Sequence, residues 1–248
     1  IKTKEDVLNY LLNIDLLSQP GTHFEYSDLG FILLTAIIEK VSKRSIDRLA
    51  YSWLYSPLEM KQTRYSPPSE WRKKIAPTEM DTVYRKRLLQ GKVHDENTHL
   101  MGGVSGHAGV FSTAEDIAKY AQMFVNGGLW KDRRFFKASQ VQDFTTLQNI
   151  PQGSEMALGW DTPSQNGQSI AGDYFTPGSY GHLGFTGTSL WIDPNKEIVI
   201  VLLTNRVHPS RKGDEGSKEM YGIRRNFYNA VMEQLVTVSS GQRLGAGK

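Results

Sequence analysis

The sequence predicts an α+β chain: a mainly helical first part, an antiparallel sheet after it and a closing helix. Three observations carry that prediction. Apolar residues recur every three or four positions through the first half. From about residue 155 they change to short extended runs rich in Val, Ile and Leu. Between the last two runs stands Asp193-Pro194-Asn195-Lys196, a connection of hairpin length and composition.

The elements follow in order. Val7, Leu8, Leu11, Leu12 and Ile14 stand at helical spacing, and Gln19-Pro20-Gly21 stops that helix, since Pro lacks an amide hydrogen and Gly turns freely. Tyr26-Ser27-Asp28 precedes Leu29 to Val41, a segment apolar nearly all round. Ser27 or Asp28 is placed to cap its first turn, and the helix is expected to be buried. Residues 66 to 92 are rich in Pro, Lys and Arg, and Gly102-Gly103-Val104-Ser105-Gly106-His107-Ala108-Gly109 reads as a constrained loop. Ser112 or Thr113 caps an amphipathic helix carrying Ile117, Tyr120, Met123 and Phe124, which Gly127-Gly128 ends. Ala157 to Trp160, Gly187 to Ile192 and Ile198 to Thr204 read as strands, the last two joined as a hairpin, and Phe227, Val231 and Leu235 mark a terminal helix. With no repeat, low-complexity tract or long linker, 1–248 reads as one domain: 1–150 a helical lobe, 151–248 the sheet hairpin and terminal helix.

Composition excludes several functions. Lys+Arg 29 against Asp+Glu 26 leaves a net charge of +3, too little for the dense cationic surface that nucleic acid requires. The clusters Lys73-Lys74, Arg85-Lys86-Arg87 and Arg224-Arg225 read as solvated faces. The absence of Cys removes disulfides, thiolate nucleophiles and Cys metal sites. His94, Asp95, Glu96 and His99 are possible metal ligands, but their spacing is not His-Glu-x-x-His and a polar loop accounts for them. No metal or other cofactor is expected.

Two segments carry candidate chemistry. Tyr26-Ser27-Asp28 fixes a phenol and a hydroxyl at the positive end of a helix; a helix cap beside a packed Tyr is the plain alternative. His182-Leu183-Gly184-Phe185-Thr186-Gly187-Thr188 opens the first strand of the hairpin. A glycine among β-forming residues lets a ligand approach the strand edge, whose amides can stabilise an oxyanion; a glycine bulge beside a surface His is the alternative. Gly103-Val104-Ser105-Gly106-His107 approaches the Gly-x-Ser-x-Gly elbow of Ser-His-Asp hydrolases but ends in His.

In order and separation these segments resemble the serine β-lactamase and penicillin-binding-protein-like superfamily, in its class C β-lactamase and esterase branch. Tyr26-Ser27-Asp28 looks like the family's Tyr-x-Asn motif and His182-Leu183-Gly184 like its Lys-Thr-Gly or His-x-Gly motif. Pro20-Gly21-Thr22, Gly109-Val110-Phe111-Ser112-Thr113-Ala114-Glu115-Asp116 and Gly184-Phe185-Thr186-Gly187-Thr188 match the surrounding phrases, so the resemblance covers nearly the whole chain. It implies a β-lactamase/transpeptidase-like fold, with the helical lobe and an antiparallel sheet flanked by helices.

The family's Ser-x-x-Lys motif is missing: no Lys in the chain has Ser three positions before it. The resemblance therefore implies a C-terminal part of the domain, with nucleophile, activating Lys and the first elements of the fold supplied by a preceding segment or a second chain. Its mechanism is acyl transfer through an ester on that Ser. It implies catalytic roles for Tyr26 in proton transfer, for His182 in shuttling a proton or orienting the leaving group, and for the Phe185 backbone N–H in the oxyanion hole. Asp28, His107, Gly184 and Thr186 are implied substrate-binding residues, His107 being equally readable as a loop histidine hydrogen-bonded in place. Asp28 stands where Asn is common and His182 where β-lactamases have Lys, which shifts the expected substrate from β-lactams toward esters and peptides, small or peptidoglycan-like. Family members are mostly bacterial and commonly exported, so the envelope or periplasm is the expected location. The alternatives are an inactive fragment or binding module of the same fold and, further off, a metal-dependent hydrolase.

Overall fold

The computed structural model describes residues 3–164, 166–167 and 169–245, with side chains described through Leu235. The chain forms two compact units. One runs to Tyr120 and includes Val207–Arg211; the other comprises Ala121–Arg206 and the chain from Lys212.

The first unit holds α1 (Lys4–Asn13), α2 (Asp28–Ser42) and α3 (Ile46–Ala50), then β1 (Arg64–Tyr65), β2 (Met80–Asp81), β3 (Arg87–Leu88), α4 (Glu96–Leu100), β4 (Val110–Phe111) and the start of α5 (Ala114–Val125). Thr3 caps α1 reciprocally: its Oγ1 accepts from the Asp6 amide and its own amide donates to the Asp6 carboxylate, both at 3.1 Å. Val7 and Leu11 of α1 pack on Ile32 of α2 and on Met101. Ser27 is the residue that caps α2, its Oγ accepting from the Leu29 amide at 3.2 Å. Thr113 does the same for α5, accepting from the Asp116 amide. β1 pairs with β4 and β2 with β3, each antiparallel.

The expectation of an all-round buried α2 is corrected. Only Ile32 and Thr35 are buried on it, while Phe31, Leu34, Ile37, Ile38 and Val41 are exposed. Apolar residues on every side specify a helix that wants cover on every side; among the described residues, cover reaches one side only.

The second unit holds β5 (Leu129–Trp130), β6 (Arg133–Arg134), α6 (Ala138–Thr145), β7 (Tyr180–Leu183), β8 (Ser189–Asp193), β9 (Ile198–Leu202) and α7 (Gly213–Gly245). β7, β8 and β9 form an antiparallel sheet with β8 in the centre. The β8–β9 hairpin turns over Asp193, whose fully buried carboxylate accepts from the amides of Asn195 and Lys196 and from Thr176. Ala171, Phe175, Trp191, Ile200, Tyr228 and Met232 make the core between sheet and α7.

Three sequence expectations change here. Ala157 to Trp160 is not a strand; Met156 and Asp161 form an isolated bridge, and Asp161 bridges to Gly181. His182 does not open the hairpin's first strand but lies on β7, a preceding strand, because Gly184 and Gly187 turn the chain back: the Gly184 amide meets the Thr188 carbonyl at 2.7 Å and Gly187 has φ +116°. On α7 the buried stripe is Met220, Arg224, Tyr228 and Met232, with Phe227 and Val231 on its flank and Leu235 exposed. A buried Arg within the stripe hides its period from a reading of apolar residues alone.

Candidate active site

The candidate residues fall into two groups, one in each unit. In the first unit Tyr26 stands just before the cap of α2, 61% exposed, and Asp28 occupies the helix's first turn, where the orphan amides favour a carboxylate. The glycine loop reaches the same helix. Gly106 lies so close that a Cβ there would meet Thr35 Oγ1 at 2.2 Å and the Phe31 carbonyl at 2.8 Å.

That approach carries His107 into a buried hydrogen-bond chain. His107 Nε2 donates to Asp95 Oδ1 at 2.8 Å and Thr98 Oγ1 lies 3.1 Å away, while Nδ1 faces Ser105 Oγ at 2.9 Å. Asp95 caps α4 by accepting from the Thr98 amide at 2.6 Å. Burial would raise the Asp95 carboxyl, but the hydrogen bonds from His107 and Thr98 outweigh it and hold the pKa at about 2. In the neutral ring His107 thus keeps its hydrogen on Nε2, and Nδ1 accepts from the Ser105 hydroxyl. Ser105, His107 and Asp95 have the residue types of a hydrolytic triad, yet Ser105 has 0% exposure, so its hydroxyl meets no substrate carbonyl. The chain fixes the loop, and the elbow reading of Gly103 to His107 is set aside.

The four possible metal ligands do not converge on one point. His94 Nε2 bonds Glu79 at 2.7 Å, Glu96 takes Arg211 at 2.9 Å and Asp95 takes His107. Among the described residues the group able to hold an ion is Asp28, Asp95 and His107, with ligand atoms within 4.8 Å of one another. An ion there would have to displace the His107–Asp95 hydrogen bond.

In the second unit His182 sits on β7 opposite Leu190. Its Nδ1 donates to the Leu183 carbonyl at 2.9 Å. The following turn is tied down at its carbonyls. Arg224 Nη2 donates to Gly184 and Thr188, Arg206 Nε to Phe185 at 2.6 Å and the Arg206 amide to Thr186 at 2.7 Å. The Arg206 guanidinium also stacks over the Phe185 ring, 4.4 Å from its centroid. At Gly184 a Cβ would lie 2.1 Å from Thr188 Oγ1, so the turn admits no side chain there.

Two residues of this group escape sequence reasoning. Arg224 is 3% exposed and read as part of a solvated basic pair; burial lowers its pKa. Asp161 is carried to β7 by its two backbone bonds with Gly181. Burial raises its pKa, opposed by the charges of His182 and Arg224. No motif marks Asp161; only the strand pairing brings it to His182.

A family model described as Beta-lactamase matches residues 2–220. The chain belongs to the Beta-lactamase family. Its α+β architecture is accordingly the β-lactamase/transpeptidase-like fold. Among relatives in this family, an N-acetylmuramyl-L-alanine amidase of Bacillus subtilis (strain 168) is 37% identical over 221 residues, 83% of this chain and 49% of that protein. The chain spans about half the length of the curated relatives it matches. Of solved structures, a beta-lactamase from Mycobacterium bovis superposes with TM-score 0.61 at 19% identity, covering 89% of this chain and 67% of that one. A penicillin-binding protein homolog from Caulobacter crescentus gives TM-score 0.63 at 16% identity, over 82% and 58%.

Proposed function

We propose that this Beta-lactamase-family chain is part of a serine hydrolase that cleaves an ester or amide through an acyl-enzyme, acting on peptidoglycan-like material in the bacterial envelope. The observation that carries the reading is the pair of family motifs at helix and strand positions fit for this chemistry: Tyr26 at the capped start of α2, and His182-Leu183-Gly184 running from β7 into a turn that excludes a side chain. The relative named as a muramyl-L-alanine amidase supports an amide of the cell wall as substrate. No Ser-x-x-Lys occurs in these residues, so the reading places the nucleophile and its activating Lys outside them.

Tyr26 then relays the proton between nucleophile and leaving group. An ordinary phenol near pKa ~10 needs an adjacent cation to do this at neutral pH, and the activating Lys supplies it. His182 orients the leaving group, and the Phe185 amide donates to the oxyanion. Asp28, Gly184 and Thr186 are the proposed substrate-binding residues; His107, its side chain 3% exposed and both ring nitrogens engaged, holds the glycine loop instead.

The test is covalent labelling of the full-length protein with a fluorophosphonate, followed by peptide mapping. The adduct is expected on the Ser of a Ser-x-x-Lys sequence outside 1–248. An adduct on a Ser within 1–248, or none on enzyme that turns substrate over, overturns the reading.

A further inference from the structure

The Gly184 carbonyl and the Phe185 amide are the two ends of one trans peptide unit and point in opposite directions. That unit is fixed from its oxygen end. Arg224 Nη2 donates to the Gly184 oxygen at 2.8 Å, and the Gly187 amide donates to the same oxygen at 3.0 Å. On either side the chain is also held: the Gly184 amide donates to the Thr188 carbonyl at 2.7 Å, and the Phe185 carbonyl accepts from Arg206 Nε at 2.6 Å. With its oxygen gripped from α7, the unit turns the Phe185 hydrogen away from Arg224.

The costly member of this set is the cation. Arg224 is 3% exposed and makes no ion pair among the described residues. Its Nε is buried without a hydrogen-bond partner. Taking a guanidinium out of water carries a large penalty, which a paired carboxylate usually offsets. If only hydrogen bonds to the turn were needed, a neutral amide side chain would donate them without that penalty. What the charge adds is polarisation. A hydrogen bond at a carbonyl draws electron density toward its oxygen and makes the N–H of the same peptide unit a stronger donor, and a charged donor forms the stronger bond, by roughly twofold.

We infer that Arg224 is a positioning residue of the oxyanion hole: through the Gly184 oxygen it aims the Phe185 N–H and strengthens it as a donor to the substrate carbonyl oxygen while negative charge develops there. The inference rests on the reading of the Phe185 amide as an oxyanion donor. Its size follows from two general figures. An oxyanion donor is worth about 10²–10³ in rate and one hydrogen bond strengthens the next by about 10–30%, so the charge contributes about two- to eightfold.

The experiment uses the full-length enzyme, an ester substrate and its thionoester, in which sulfur replaces the carbonyl oxygen. Sulfur is a weak hydrogen-bond acceptor, so the thionoester draws little on the oxyanion donors. The ratio of the two kcat/KM values is read on each preparation below its melting midpoint, where any unfolded fraction cancels. Arg224→Gln keeps an N–H donor and loses the charge; it is expected to lower the oxo-to-thiono ratio about two- to eightfold. Arg224→Lys keeps the charge and is expected to stay within about twofold of wild type. A ratio unmoved in Arg224→Gln, whatever that variant loses in stability, overturns the assignment, and so does an equal fall in both variants. The two readings fail differently. An unmoved ratio with ester turnover intact removes the role of Arg224 alone, while a wild type that turns over neither ester removes the hydrolase reading and this role with it.

Discussion

Arg224 donates from Nη2 to the carbonyl of Gly184 at 2.8 Å, and the same nitrogen reaches the Thr188 carbonyl at 2.7 Å. One buried cation on α7 therefore closes both ends of the turn that follows His182. Replacing it with an apolar side chain, Arg224→Met, removes that charged donor and leaves the two carbonyls only their backbone partners, the Gly187 amide on Gly184 and the Gly184 amide on Thr188. A hydrogen bond to a charged group contributes about 1.5–3 kcal/mol, so urea unfolding of the variant should show a loss of roughly 1.5–3 kcal/mol. A loss below about 0.5 kcal/mol, the range of ordinary surface changes, would mean that the clamp holds nothing.

Gly106 offers a steric test in the other unit. Its missing Cβ leaves room for Thr35 Oγ1, which donates to the Phe31 carbonyl at 2.8 Å. Gly106→Ala must push the loop off α2, and overpacking of this kind costs about 1–3 kcal/mol. Thermal melts of Gly106→Ala against Gly222→Ala, a glycine likewise outside the positive-φ region but with open space around it, isolate this contact. Equal loss at the two would contradict the close approach.

The Asp95–His107 pair gives a pH dependence with a definite sign. The folded carboxyl sits at about 2, below the ~3.9 of an unfolded Asp. The pair therefore stabilises the fold above about pH 4 and loses that contribution as pH falls through about 2. The amount is on the order of 2 kcal/mol. Asp95→Asn should lower stability at neutral pH and flatten the acid limb of a denaturation series; an acid limb identical to wild type would refute the assignment.

Ser105 separates a structural hydroxyl from a nucleophilic one. With no exposed surface, it serves the loop, so Ser105→Ala should leave fluorophosphonate labelling of the full-length protein in place. Loss of the label from a folded Ser105→Ala protein would restore the Ser-His-Asp elbow reading.

Much of this was legible in the residues because it is written in local chemistry. The Ser27 cap, the Thr113 cap, the Gly127-Gly128 stop and the Asp193-Pro194 hairpin each follow from a side chain satisfying its own neighbourhood. What stayed hidden depends on partners distant in sequence. Arg224 reads as a surface cation until Gly184 and Thr188 are brought to it, 40 and 36 residues away. Asp161 has no meaning before it pairs with Gly181. The strand β7 was missed because its Tyr180-Gly181-His182-Leu183 lacks a Val/Ile run, and Gly181 is required there by Trp191, whose ring would meet a Cβ at 2.5 Å.

The most direct measurement is acylation of the full-length enzyme in the Tyr26→Phe and His182→Ala variants, followed as the rate of label incorporation from a fluorophosphonate and of product from an ester substrate. Removing a group that moves a proton in the transition state costs about 10²- to 10⁴-fold, so both rates should fall at least a hundredfold in Tyr26→Phe with the fold intact, and substantially in His182→Ala. Unchanged labelling and turnover in both variants would contradict the account.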